Sequence, residues 1–116
     1  MTGAVSYAQE VALFSLVVRF TVLPDHLEAF DALVAETVRQ IRRHEPGTAS
    51  YLTHTRDERP DERVFYEAYA DHDAFLAHEQ TPHTRHFLAE RGQHLAADPE
   101  VWWLTTQDDS GQSGPS

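Results

Sequence analysis

Polar and apolar positions divide the chain into six periodic segments, the fifth of them interrupted at Thr81-Pro82. From Leu13 to Val22, the apolar Phe14, Leu16, Val18, Phe20 and Val22 alternate with Ser15, Val17, Arg19 and Thr21, the period of a strand that is apolar on one face and half apolar on the other. Pro24 cannot continue a central strand, and Asp25 followed three residues later by Glu28 reads as a capping pair opening a helix. The period then lengthens. Leu27, Phe30, Leu33, Val34, Val38 and Ile41 recur at spacings of three and four, which predicts an amphipathic helix stopped by Pro46-Gly47. Alternation returns in Ala49 to Arg56 and in Arg63 to Ala70, with the charged, Pro60-containing stretch between them read as a hairpin loop. Asp71 is the expected N-cap of a short helix ending near Glu79. Thr81-Pro82 restarts a helix expected to run to about Ala97, with Phe87, Leu88, Arg91 and Leu95 on its inner side. Val101 to Thr106 is the last strand, and it turns Trp102 and Trp103 to opposite faces.

The order strand, helix, strand, strand, helix, strand, joined by right-handed crossovers, predicts an α+β fold. It is the ferredoxin-like βαββαβ arrangement, a four-stranded antiparallel sheet with both helices on one face. The other face also carries apolar side chains, and its expected cover is a second copy, giving a homodimer packed sheet to sheet. Residues 11–107 form the expected single domain. Residues 1–10 are expected to be a flexible arm and 108–116 a disordered tail, because their small and polar side chains bury too little to offset ordering entropy.

Composition narrows the chemistry. The 116 residues carry a formal charge of −10, which argues against nucleic acid, since phosphate binding needs a basic surface. The cluster Arg39, Arg42 and Arg43 falls at a helix end, where the dipole favours cations. No apolar run is long enough to span a bilayer, so no membrane is expected. The absence of cysteine excludes disulfides and thiolate chemistry and fits a cytoplasmic protein.

Acid-base candidates concentrate between Phe65 and Phe87. Glu67 lies mid-strand between Phe65 and Tyr69, where burial would raise its pKa and make it a proton acceptor near neutrality; the alternative is a structural pair with an arginine or histidine. His78 and His83 flank the Thr81-Pro82 break, so both are candidates to face the sheet and accept a proton or hold an anion. Tyr51, Tyr69 and Trp102 supply aromatic area for a planar ligand, although aromatics at alternating positions also make plain core. Arg19, the one charge in the first strand, needs an anionic partner such as Glu67, a ligand, or an ion pair at the dimer face. His86 adds a pocket-edge candidate. His83, His86 and Glu90 share a helical face, but with eight histidines in the chain a solvated face is preferred to a metal site.

Several stretches together resemble a known family. Val17-Val18-Arg19-Phe20-Thr21-Val22-Leu23-Pro24-Asp25, the turn Glu45-Pro46-Gly47, the strand end Glu67-Ala68-Tyr69 and the run Ala77-His78-Glu79-Gln80-Thr81-Pro82-His83 are similar to antibiotic-biosynthesis-monooxygenase domains over roughly Leu13 to Thr106. The A-H-x-x-T-P-H run is the most specific part. The resemblance implies a dimeric α+β barrel with a pocket between sheet and helices. Members include quinol and polyketide monooxygenases that use dioxygen without flavin or metal, haem-degrading enzymes and an isomerase. Against the haem branch, Val18 and Tyr69 stand where that branch places asparagine and tryptophan, and Leu88 where it places its haem ligand.

The expected activity is therefore oxidation of a small phenolic or quinol-type aromatic substrate to a quinone. His83 or Glu67 would remove the proton, with His78 beside them, dioxygen as co-substrate, and no cofactor or metal. The alternatives are a small-ligand-binding dimer without turnover, and an isomerase or cyclase using the same pocket.

Overall fold

A computed structural model describes residues 13–107. The arm and the tail expected from the sequence lie outside these residues. Strand β1 (Phe14–Thr21) leads through a 3-10 turn, Pro24–His26, into α1 (Leu27–His44). Strands β2 (Thr48–Arg56) and β3 (Arg59–Tyr69) follow, then α2 (His72–Gln80), α3 (Pro82–Glu90), a 3-10 turn at Arg91–His94, and β4 (Glu100–Thr105). The sheet is antiparallel with order β2-β3-β1-β4, the ferredoxin-like topology. No described helix is long and apolar enough to cross a membrane.

Alternation in β1 sets the two faces. Leu16, Val18 and Phe20 turn toward the helices and join Phe65 and Tyr69 of β3, Phe30 and Val34 of α1, Phe75 of α2 and Phe87 of α3 in one core. Phe20 is at its centre, 4.8 Å from the Phe65 ring and 6.0 Å from Phe87. Burying a side chain of this size contributes about 1.5–3 kcal/mol. The opposite face is open, and there Leu52 and Trp102 remain 53% and 47% exposed.

Local boundaries differ from expectation in three places. Asp25 and Glu28 form no capping pair, because the chain enters α1 through the 3-10 turn and neither Leu23 nor His26 makes a side-chain cap. The hairpin between β2 and β3 shrinks to Asp57-Glu58. Pro60 fits inside β3 because pairing with β1 stops at Thr21 opposite Glu62, so its missing N–H breaks no ladder bond on that side. The helix starting at Pro82 ends at Glu90 rather than near Ala97, and the chain tightens into the 3-10 turn before Leu95 bridges back to Val22.

The other two helix starts read from the sequence are capped by side chains. Asp71 accepts from Ala74 N–H at 2.8 Å, and Thr81 Oγ1 accepts from Thr84 N–H at 3.2 Å. Thr81 Oγ1 also donates to the His78 carbonyl at 2.8 Å, which locks the break between α2 and α3. At that break the two short helices change direction, bringing His78 and His83 to the same carboxylate.

Candidate active site

That carboxylate is Glu45, in the turn that ends α1. Its Oε1 accepts from His78 Nδ1 at 2.8 Å and from Thr48 Oγ1 at 2.7 Å, and its Oε2 is bonded by His83 Nε2. Burial alone would push its pKa up, but the hydrogen bonds from His78, Thr48 and His83 outweigh that and hold it below the usual glutamate range. An ionised carboxylate only accepts, so Nδ1 of His78 and Nε2 of His83 must carry protons. Glu45 thus fixes the His78 tautomer. Nε2 of His78 makes no hydrogen bond among the described residues.

The buried His78 ring lines a cavity of about 150 Å3 between the sheet and the helices. Tyr51 and Glu67, opposite each other on β2 and β3, form part of its floor, and Trp103 and Arg91 close other sides. Glu67 is buried, and its Oε1 accepts from Tyr69 O–H at 2.6 Å. Burial raises its pKa, and the Tyr69 hydrogen bond, together with the positive charge that His78 carries when protonated and that of Arg91, only partly offsets this. Burial first, then the Glu67 charge, keeps both Tyr51 and Tyr69 protonated as phenols. The cavity therefore joins a carboxyl tuned upward to an imidazole with one nitrogen free.

Larger solvent-open grooves lie between α1 and β2 and between α1 and α3, about 420 and 520 Å3. Neither holds a buried carboxyl with a raised pKa, so the smaller cavity is the candidate site. Among the described residues, no three His, Asp or Glu side chains are grouped to hold a metal ion.

Of the residues singled out in the sequence, Glu67, His78 and Tyr51 meet at the cavity wall. Tyr69 lies behind Glu67, fully buried. His83 stands on the far side of Glu45, in the groove between α1 and α3, together with the exposed His86. Arg19 and Trp102 are on the open face of the sheet, since the register that puts Leu16 opposite Trp103 sends Val17 and Trp102 to the other side. Arg19 does not reach Glu67. It pairs with Glu100 and, at 4.0 Å, with Glu62, and its guanidinium is 6.0 Å from the Trp102 ring.

Three site residues carried weaker signals. Glu45 places a negative charge at a helix C-terminus, where the dipole opposes it, so a carboxylate there calls for another purpose. Arg91 is a cation on the apolar side of its helical segment. Trp103 could be told from Trp102 only by the β1–β4 register, which no local pattern contains.

A ferredoxin-like α+β domain with an acid-base cavity between sheet and helices is the class that fold and site define. Within that class, the family model for antibiotic biosynthesis monooxygenase matches residues 13–90, and the chain belongs to this family. Among solved structures, a Mycobacterium tuberculosis protein is similar at 26% identity and TM-score 0.79, covering 85% of this chain and 99% of its own. A Bacteriodes thetaiotaomicron VPI-5482 protein, provisionally described as an antibiotic biosynthesis monooxygenase, is similar at 24% identity and TM-score 0.80, covering 88% and 96%. A conserved Methanosarcina mazei Go1 protein shares the fold at 18% identity and TM-score 0.80, covering 87% and 99%. No curated protein sequence matches the chain significantly.

Proposed function

We propose that the protein is a cofactor-independent monooxygenase acting on a small phenol or quinol. The observation that carries this reading is the Glu45–His78 pair at the wall of a cavity that also holds Glu67. Family membership supports the reaction class. Glu45 holds Nδ1–H, so Nε2 of His78 is the nitrogen presented to a substrate hydroxyl, and Glu67 is the second acceptor. His83, which bonds the other oxygen of Glu45, acts as a positioning residue.

In the reaction the phenolic proton passes to Nε2 or to the Glu67 carboxylate. The phenolate gives one electron to dioxygen, and the phenoxyl radical and superoxide combine at ring carbon. The carbon-bound hydroperoxide then loses water, leaving a carbonyl. Overall, a phenol and one dioxygen give a quinone and one water, and a quinol gives a hydroxyquinone and water. The chain supplies deprotonation, orientation and exclusion of bulk water.

The open sheet face, with Leu52, Trp102 and Leu104 exposed, is the proposed seat of a second copy. Oxygen uptake with a panel of single-ring phenols and quinols tests the activity, with one dioxygen consumed per quinone formed as the expected result. Ligand-induced thermal stabilisation with no oxygen uptake across the panel would replace it with a binding role.

A further inference from the structure

Arg91 opens the 3-10 turn after α3, with its guanidinium 5.6 Å from the Phe20 ring and 5.9 Å from the Phe87 ring. It borders both the cavity and the adjoining surface depression beside Gly92, Leu95 and Pro99, which puts it at the cavity mouth. Among the described residues the charges of Glu67 and Glu79 act on it through space, and neither is hydrogen-bonded to its side chain. Burial lowers its pKa, but guanidinium remains charged at neutral pH. Packed on two aromatic rings and with no carboxylate in contact among the described residues, the guanidinium keeps its hydrogen-bonding fork free to meet an anion.

We propose that the cavity takes a single aromatic ring bearing a carboxylate, with the ring beside Tyr51 and Trp103 and the carboxylate paired with Arg91. Volume favours one ring: about 150 Å3 is the size of cavity that accommodates a benzene ring. Geometry sets the anion, because the planar guanidinium fork matches a carboxylate in a bidentate pair. A dianionic phosphate is disfavoured, since Glu67 and Glu79 line the cavity, Glu45 lies behind His78 and the chain is already at −10. The inference rests on the proposed oxygenation only for the fate of the ring, and the binding step stands apart from it.

Calorimetric titration of the full chain under anaerobic conditions with para-hydroxybenzoate, its neutral amide para-hydroxybenzamide and a two-ring hydroxynaphthoate tests this without turnover. The acid is expected to bind at least about tenfold more tightly than the amide, as a charge-assisted pair requires, and more tightly than the naphthoate. Arg91→Gln should remove the preference for the acid, and Arg91→Lys should keep part of it. Equal binding of acid and amide by the wild-type chain would overturn the proposal, whether or not the variants fold. A preference that persists in a folded Arg91→Gln chain, or tighter binding of the naphthoate, would overturn it too. Binding with the expected preference but without oxygen uptake would support this inference and refute only the monooxygenase reading.

Discussion

Glu45 and Glu67 are tuned in opposite directions, and the difference has measurable signs. The Glu45 carboxylate is held below the usual range, so its contribution to stability is present above the unfolded glutamate pKa and is lost as pH falls through the folded value. Glu67 is raised, so its contribution is present below the unfolded pKa and is lost as pH rises through the folded value. Glu67→Gln should therefore gain stability relative to wild type, and Glu45→Gln should lose it, on going from about pH 2 to about pH 8. Thermal unfolding across that range checks both, and a pH-independent difference in either variant would contradict the assignment. Glu45→Ala is more severe, because it strands donors on His78, His83 and Thr48, and a loss of roughly 3 kcal/mol in chemical denaturation is expected.

At the scale of the elements, the site depends on the break between α2 and α3. Thr81 caps α3 and binds the His78 carbonyl at once, so Thr81→Ala should cost about 1 kcal/mol and lower the melting temperature by about 4–8 °C. A change within the error of the melt would show that the cap is not what holds the break. The turn after α1 is equally tight: a Cβ on Gly47 would stand 3.1 Å from Ala74 Cβ, so the absence of a side chain there lets α2 approach the strand that follows Glu45.

These elements also show what a sequence makes legible. Periodicity alone located all four strands and α1, and the caps at Asp71 and Thr81 were visible because each is a one-turn interaction. Glu67, His78 and Tyr51 were legible as site candidates because a buried glutamate in an aromatic strand and a histidine at a helix break are local anomalies. Glu45 meets His78 across 33 residues, and the choice between Trp102 and Trp103 depends on pairing with β1. Such long-range facts leave no periodic trace. The same gap explains Arg19, whose partners Glu62 and Glu100 come from β3 and β4 rather than from the pocket.

Considered whole, the molecule has one face of its sheet covered and one uncovered. Helices cover Leu16, Val18 and Phe20, whereas Leu52, Trp102 and Leu104 have no described element over them. A second copy on that face predicts twice the chain mass in size-exclusion chromatography with light scattering, and Trp102→Glu should shift the protein toward monomer. A wild-type monomer at micromolar concentration would contradict the dimer. The cavity lies on the helix side of the sheet, so the same variant should leave ligand binding in place if each copy carries its own site.

The central claim is that Glu45 orients His78 so that its free nitrogen accepts the substrate proton inside the cavity. The most direct measurement is the steady-state rate of oxygen uptake with a single-ring quinol, comparing wild type with His78→Gln and His83→Gln chains whose folding is verified by circular dichroism. The account predicts a loss of roughly a hundredfold for His78→Gln, the scale of one general base, and a clearly smaller loss for His83→Gln. An unchanged rate in His78→Gln, or a larger loss in His83→Gln than in His78→Gln, would contradict it.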